Sequence, residues 1–306
     1  MIHTQTTFAQ SFTSSHRSKN ITYKVVNNTD SIKLDIYAPT KKVYDKNPVI
    51  VFIHGGAWAK GDKDLSKSYY FTNLKDTLQT KGYAVVSINY RLVNESIHIA
   101  DQLTDCQDAL KWVAEHAKTY NFDENNIGVW GESAGAHLAL LVGYGVHNAS
   151  KDLPEIQYII DNFGPTDLNK VLKTNASWFT RNVYKMILPD LYNLRGKLIK
   201  ALTSYEINTH KKEAMAIAKN YSLITYVATA TKTPTLLLHG TKDFIVPIKE
   251  SKKLHKKLNE TLITNSFIKV KKGHHGFTTI PNSEIQDLIK QTYLFMQQHY
   301  HTQIDS

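Results

Sequence analysis

The chain has 306 residues, with 37 lysines and arginines against 27 aspartates and glutamates, giving a formal net charge of +10. Hydrophobic residues make up 42% of it, enough for a large buried core. Its one cysteine, Cys106, excludes an intramolecular disulfide and a cysteine-based zinc site, which favours the cytoplasm. The longest apolar runs have five residues, far short of the ~20 needed to cross a bilayer, so no membrane span is predicted.

The basic surplus does not predict a nucleic-acid partner. Its densest segments, Lys249–Lys257 and Lys269–Lys272, carry neither interleaved aromatic residues nor a nucleic-acid-binding motif. We therefore interpret them as solvated surfaces. Residues 1–20 are rich in serine, threonine and glutamine and lack the apolar run of a secretory signal, so they are predicted to be an N-terminal extension.

The first predicted elements are two antiparallel strands, because apolar residues alternate over Ile21–Val25 and Ile32–Ile36. After them come short, continuously apolar, β-branched runs of the kind that strands buried on both faces show. These predicted strands are Val49–Ile53, Ala84–Ile88, Ile127–Trp130, Ile156–Ile160 and Thr235–His239. Helix-period segments separate or follow them, at Ala100–Tyr120, Ala134–Tyr144, Lys249–Leu258 and Glu284–Tyr300. Alternating strands and helices predict an open α/β sheet, as one domain over residues 21–300 with a tail at 301–306.

The alternation stops between Asp167 and Lys232, which is too long for a plain connection. We interpret residues 167–232 as a helical cap inserted over the sheet. Its apolar residues either line a pocket or only pack the insert onto the sheet. They are Trp178, Phe179, Tyr184, Met186, Ile187, Leu191 and Tyr192.

The segment Gly131–Gly135, with Ser133 at its centre, matches the G-x-S-x-G pattern of a serine nucleophile. It lies directly between a predicted strand and a predicted helix, where a sharp turn presents a strained serine and the helix N-terminus favours developing negative charge. The alternative is a purely structural role, in which Ser133 is an ordinary helix N-cap. Glu132, inside the motif, is predicted to shape this turn and to contact substrate.

A serine nucleophile also needs donors for an oxyanion, and a glycine-rich loop offers them. The segment His54–Trp58 follows a predicted buried strand, as the H-G-G-x loop of esterases does. We predict an oxyanion hole formed by the backbone N–H groups of Gly56, Ala57 and Ala134. His54 either shapes this loop or carries a proton. Trp58, also predicted to bind substrate, is either a pocket wall or part of the core.

The acid and base are expected after the nucleophile, in that order along the chain. Asp243 follows the last predicted apolar strand and a glycine turn, and His275 stands directly before Gly276 and Phe277. We predict Asp243 as the acid and His275 as the base, with Asp167 and His274 as their respective alternatives. The histidines show no H-E-x-x-H pattern and no metal-ligand spacing, so no metal site is predicted.

Together these segments resemble the α/β-hydrolase carboxylesterases, specifically the branch of feruloyl esterases, acetyl esterases and kynurenine formamidases. The resemblance covers roughly residues 21–300. Besides the segments already quoted, it rests on Lys60–Asp62, Tyr90–Leu92, Gly164–Asp167 and Ala136–Ala139. It implies an eight-stranded, mostly parallel sheet, an acyl-enzyme mechanism and no cofactor. Glu132 is typical of carboxylesterases, whereas Ala136–Leu138 is typical of the formamidases.

The leading hypothesis is therefore a serine esterase acting on a small-molecule ester with a short acyl group, from acetyl to butyryl. One alternative is an arylformamidase-type amide hydrolase with an N-formylkynurenine-like substrate. Another is a catalytically silent binding module of the same fold. The sequence does not predict an oligomeric state.

Overall fold

A computed structural model describes residues 17–27, 30–147, 152–177, 182 and 185–301. Its strands are β1 (Arg17–Val25), β2 (Ser31–Tyr37), β3 (Asn47–Ile53), β4 (Ala84–Ile88), β5 (Phe122–Glu132), β6 (Ile156–Asn162), β7 (Thr235–Gly240) and β8 (Asn265–Val270). Its helices include α1 (Tyr69–Thr80), α2 (Ile99–Glu115), α3 (Ala117–Tyr120), α4 (Ala134–Gly143), α5 (Leu168–Val171), α6 (Pro189–Thr203), α7 (Lys211–Asn220), α8 (Lys249–Glu260) and α9 (Asn282–Gln298).

The strands form one eight-stranded sheet in the order β1-β2-β4-β3-β5-β6-β7-β8. The first two strands are antiparallel to their neighbours, and β3 to β8 run parallel. This confirms the predicted eight-stranded, mostly parallel sheet. Because the carboxyl ends of parallel strands meet at one edge, the loops after β3, β5, β7 and β8 converge there.

The central strands each contain a run of apolar residues, such as Val49–Ile53 in β3, because helices cover both faces of the sheet. In β3, Val49, Val51 and Ile53 pack in one buried cluster with residues of α2 and α4. Ile50 and Phe52 point the other way, into a cluster with residues of α1 and α9. Each such buried side chain contributes roughly 1.5–3 kcal/mol of hydrophobic free energy, so the two clusters hold the central strands in place.

Strand β1 begins at Arg17, so the predicted boundary of the N-terminal extension at residue 20 is wrong. The polar residues 17–20 pair with β2 because they satisfy its buried carboxylate, Asp35. The Arg17 guanidinium and the Asn20 amide each donate to Asp35 at 2.8 Å. Polarity hid this part of the strand from a search for apolar alternation. The helix pattern also missed α1.

The insert contains α5, α6 and α7 and is fastened at its start. The Glu250 carboxylate accepts the backbone amides of Thr166 and Asp167 at 3.0 and 2.8 Å, and Ser222 Oγ accepts that of Leu168 at 2.9 Å. The apolar residues predicted in the insert differ in placement. Tyr192 is buried, Met186 and Ile187 are 76% and 62% exposed, and Trp178, Phe179 and Tyr184 lie outside the described residues. Leu191 lies in α6.

Cys106 is fully buried in α2, and burial raises the pKa of its thiol well above its ordinary value. Within the described residues, no helix combines the length and the apolar character that crossing a bilayer requires.

Candidate active site

Ser133 stands on a strained turn between β5 and α4. Its backbone has φ +51° and ψ −117°, a conformation that non-glycine residues rarely adopt. A Cβ atom at Gly135 would lie 2.1 Å from the carbonyl oxygen of Ile53, and one at Gly131 would lie 2.4 Å from that of Gly135. The tight approach of α4 to β3 therefore requires glycine at position 135, and its approach to the end of β5 requires glycine at position 131. The Ser133 amide donates to the carbonyl of Asn162 on β6 at 2.9 Å, which fixes the turn to the sheet.

The structure brings Ser133, His275 and Asp243 together in one hydrogen-bonded chain. His275 Nε2 lies 3.0 Å from Ser133 Oγ, and His275 Nδ1 lies 2.7 Å from Asp243 Oδ2. A carboxylate accepts, so Nδ1 carries the proton and Nε2 is the nitrogen that can take one from the serine. The ring of Phe163 packs against His275 with its centroid 4.6 Å away. The three residues follow β5, β7 and β8, so the sheet edge assembles them.

Asp243 is surrounded by donors. Its Oδ1 accepts the backbone amides of Ile245 and Val246, both at 2.9 Å, and its Oδ2 also lies 3.3 Å from His239 Nε2. Burial raises the pKa of this carboxyl, but hydrogen bonds from His239 and His275 and the charge of His275 outweigh it. The pKa of Asp243 consequently lies well below its ordinary value, and the group is ionised at neutral pH.

The alternative acid, Asp167, and the alternative base, His274, are not part of the hydrogen-bonded series Asp243–His275–Ser133. Asp167 caps α5, its Oδ1 accepting the Lys170 amide at 3.3 Å, and its Oδ2 pairs with Lys253 at 3.1 Å. The exposed ring of His274 meets the edge of Phe244 at 5.8 Å. The geometry therefore favours the predicted Asp243 and His275.

The predicted oxyanion loop has an unusual backbone. Gly56, Ala57 and Trp58 have φ angles of +112°, +52° and +62°, so three consecutive residues occupy the left-handed region. A Cβ atom at Gly56 would lie 2.0 Å from the carbonyl of Lys60. The amide of Ala134 is the first of α4, and such an amide has no acceptor within its own helix. Oxyanion binding by Gly56, Ala57 and Ala134 stays a prediction.

Glu132 holds this loop against the turn. Its Oε1 accepts the Gly55 amide at 3.0 Å. Burial raises the pKa of Glu132, opposed by the Gly55 hydrogen bond and by His275. The carboxylate thus has a partner within the chain, and its predicted contact with substrate stays untested.

His54 is buried and shapes the same loop. Its Nδ1 lies 2.7 Å from the Gly55 carbonyl, and its ring stacks on Tyr90 with centroids 4.3 Å apart. The Tyr90 hydroxyl also donates to the His54 carbonyl at 2.8 Å. Of the two alternatives for His54, these contacts favour the structural one.

Trp58 is 3% exposed and lies in the core cluster. Its indole N–H donates to His137 Nδ1 at 3.3 Å, and His137 Nε2 donates to the carbonyl of Tyr221 at 2.6 Å. Burial, against the hydrogen bond to Tyr221, lowers the pKa of His137 to about 4, so the ring is neutral at pH 7. His137 therefore links the predicted oxyanion loop, α4 and the end of the insert. The burial favours the core alternative for Trp58, and its predicted contact with substrate stays untested.

Sequence reasoning assigned no role to His137, His239 or Asn162. His137 and His239 were visible as histidines inside apolar runs, where a buried polar residue signals a specific partner. Asn162 has no comparable signal, because it acts at the turn through its backbone carbonyl.

Comparison with known proteins agrees with this architecture. The BD-FAE family model matches residues 34–258, more than two-thirds of the chain. The non-reducing polyketide synthase atr1 of Stereocaulon alpinum is 32% identical over 50% of this chain and 6% of the synthase. Esterase LipC of Mycobacterium tuberculosis is 22% identical over 85% of this chain and 59% of its own length. The chain thus spans less than two-thirds of either relative.

Among solved structures, the thermophilic esterase Est2 of Thermogutta terrifontis, bound to butyrate, superposes with a TM-score of 0.69. It is 22% identical, and the match covers 95% of this chain and 97% of the esterase. The likeness extends across the sheet and its flanking helices, so the fold is that of the α/β-hydrolases. The chain belongs to the BD-FAE family.

Proposed function

We propose that this protein is a serine hydrolase of carboxylic esters, with Ser133 as nucleophile, His275 as base and Asp243 as the acid that orients it. The observation that carries the proposal is the continuous chain from Asp243 Oδ2 through His275 to Ser133 Oγ, with links of 2.7 and 3.0 Å. The series ends on Ser133, which lies in a strained turn directly before the N-terminus of α4. Esterase LipC and Est2 support the ester substrate class.

In the first half-reaction, Ser133 Oγ attacks the ester carbonyl while His275 Nε2 takes the hydroxyl proton. The amides of Gly56, Ala57 and Ala134 stabilise the negative charge that forms on the carbonyl oxygen. The bond to the alcohol oxygen then breaks, and His275 returns its proton to that oxygen. The alcohol leaves, and the acyl group stays on Ser133.

In the second half-reaction, water attacks the acyl-enzyme and His275 takes the water proton. The bond to Ser133 Oγ breaks, the serine recovers its proton, and the carboxylic acid leaves. Asp243 remains ionised throughout, because its four donors stabilise the charged form. Its role is to fix the imidazole and to stabilise the imidazolium.

Replacing Ser133 with alanine tests the assignment. We expect kcat for p-nitrophenyl acetate to fall by about 10⁴-fold or more, since the triad acts as a unit. A fluorophosphonate probe should label the parent at Ser133 with one group per chain and leave the variant unlabelled. Undiminished hydrolysis by folded Ser133→Ala protein would refute the nucleophile, and absence of labelling in the parent would support a silent binding module.

The substrate is proposed to carry a short acyl group, since the insert follows the end of β6 that holds the nucleophile turn, and since Est2 was crystallised with butyrate. For p-nitrophenyl esters from acetyl to decanoyl, we expect kcat/KM to peak between acetyl and butyryl and to fall by octanoyl. Each methylene that fits adds only ~0.8 kcal/mol, while one that clashes is rejected more steeply. A rate that still rises at decanoyl would contradict a closed pocket. N-formylkynurenine belongs in the same panel, as the test of the amide alternative.

We also propose a cytoplasmic location, because a chain with the single cysteine Cys106 cannot form the intramolecular disulfides typical of oxidising compartments. The proposed reaction requires a small-molecule ester as the only reaction partner besides water.

A further inference from the structure

His239 is a fully buried histidine on β7 that lies beside the proposed acid, and the mechanism above uses it only as one of the donors that keep Asp243 ionised. Its Nε2 lies 2.8 Å from the carbonyl oxygen of Val246 and 3.3 Å from Asp243 Oδ2. Its Nδ1 lies 2.7 Å from Ser251 Oγ on α8. A carbonyl oxygen only accepts, so Nε2 carries a proton that Val246 and Asp243 share.

This shared proton fixes both ends of the turn that presents the acid. Asp243 begins the turn and Val246 ends it, and the Val246 amide itself donates to Asp243 Oδ1 at 2.9 Å. His239 Nε2 thus contacts both ends of the turn, while Ser251 Oγ contacts Nδ1 on the other side of the ring. Asp243 Oδ2 lies between two imidazoles, with His275 Nδ1 at 2.7 Å on the open side.

Burying a polar side chain at this position of the strand costs free energy unless the side chain is hydrogen-bonded. The three residues before it, Leu236–Leu238, are buried leucines, as expected for a central strand. Burying an imidazole in their place is tolerated only because both ring nitrogens have partners. At this position the imidazole donates from Nε2 to the turn at residues 243–246, and Ser251 on α8 binds its Nδ1.

We propose that His239 is a positioning residue, which orients the Asp243 carboxylate toward His275 by donating from Nε2 to both ends of the acid turn. The proposal rests on the proposed esterase function. Without this donor, the turn loses the bond that ties Val246 to the strand, and Asp243 Oδ2 keeps only His275 as a side-chain partner.

Few other charged or titratable groups lie near Asp243 and its two histidines, His239 and His275, in the described part of the chain. Asp161 on β6 interacts electrostatically with His239, and Glu132 with His275. Lys269 on β8 pairs with His239 in register, but its ammonium group lies over the ring of Phe267. The nearest side-chain donors to Asp243 Oδ2 are therefore His275 and His239.

Two variants separate positioning from packing. In His239→Gln the amide nitrogen reaches the position of Nε2, whereas the shorter His239→Asn reaches only that of Nδ1. With p-nitrophenyl acetate, we expect His239→Asn to lower kcat about 10- to 100-fold with little change in KM, the usual cost of a misplaced catalytic group. His239→Gln should recover most of this loss.

The pH profile gives a second readout that a packing defect would not move. A carboxylate that is no longer directed at His275 stabilises its imidazolium less, so the acid limb of kcat/KM should move to lower pH in His239→Asn. It should stay at the parent position in His239→Gln. Unfolding midpoints of both variants in urea control for stability.

Equal losses in both variants with an unshifted acid limb would mean that His239 only packs, and the proposal would be wrong. Parental kcat in His239→Asn would overturn it as well. These outcomes differ from failure of the esterase function itself, in which the parent neither hydrolyses the ester nor reacts with a fluorophosphonate at Ser133.

Discussion

The loops at the carboxyl edge of the sheet are packed much more tightly than the insert between β6 and β7. At the sheet edge, backbone atoms approach so closely that Gly131 and Gly135 have no room for a Cβ atom, and Asp243 has four donors. In the insert, Met186 and Ile187 are largely exposed, and Gly196 has no atom within 4 Å of its Cβ position.

This difference indicates a division of labour. Proton transfer between Ser133 and His275 tolerates little displacement, so its supports are over-determined. In the proposed function the insert admits and releases substrate, and its exposed apolar residues suit that task. Substitutions should therefore cost far more at the sheet edge than in the insert.

The largest expected effect is that of Gly135→Ala. The new methyl carbon would lie 2.1 Å from the Ile53 carbonyl oxygen and 2.3 Å from that of His54, so it would displace the end of β3 and the start of the loop that follows it. We expect the free energy of unfolding to fall by about 3 kcal/mol or more. Urea denaturation of parent and variant measures it. A change below about 1 kcal/mol would show that the sheet edge is softer than the comparison assumes.

The second effect concerns Asp161, fully buried on β6 below the nucleophile turn. Burial, opposed by the Gly164 amide at 2.7 Å and by His239, raises its pKa to about 7. Its Oδ2 has no hydrogen-bond partner among the described residues. The folded state keeps this proton at pH values where the unfolded chain has lost it, so stability is fully present below about pH 4 and declines until pH 7.

Asp161→Asn should remove this decline, on the order of 3 kcal/mol between pH 5 and pH 8. Urea denaturation at both pH values measures the difference. Asp35→Asn is the matched control, because Arg17, Lys63 and the Asn20 amide outweigh burial and lower the pKa of that carboxyl. Its loss of stability should appear above about pH 4. Parallel pH dependence in Asp161→Asn and the parent would contradict the raised pKa.

The smallest effect is expected in the insert. Gly196 lies inside α6, where a methyl group meets nothing and alanine favours the helix. We expect Gly196→Ala to raise the free energy of unfolding by about 0.5–1 kcal/mol and to leave kcat for p-nitrophenyl acetate unchanged. Together with Gly135→Ala it forms a matched pair of the same substitution. Destabilisation at both positions would remove the distinction between the two regions.

Much of the sheet could be predicted because burial on both faces leaves an unmistakable apolar run, as in Val49–Ile53. The predicted helix-period segment Ala100–Tyr120 coincides with α2 and α3, and its apolar residues Leu103, Ala109, Leu110 and Val113 are all buried. Strand β1 was predicted too short, because its first residues are polar and pair through Asp35. The number of strands, eight, came from the resemblance, not from periodicity.

The candidate site was predictable where the chemistry is local. Ser133 stands out because the turn needs glycines at fixed offsets, and Asp243 and His275 because each follows a strand at the same edge. The contacts of the supports were not predictable, since the sequence shows His137 and His239 as polar residues among apolar ones but not which groups they bind. Their partners Trp58 and Tyr221, or Val246 and Ser251, have no pattern in common.

The bond between Ser133 and His275 joins residues 142 positions apart, with the whole insert between them. A chain emerging from the ribosome can therefore form β5 and the nucleophile turn while it still lacks both acid and base. Until β8 has been added to the edge of the sheet, the serine has no base within reach. With the proposed triad, hydrolytic activity therefore requires nearly all of this domain, up to His275, to be synthesised and folded.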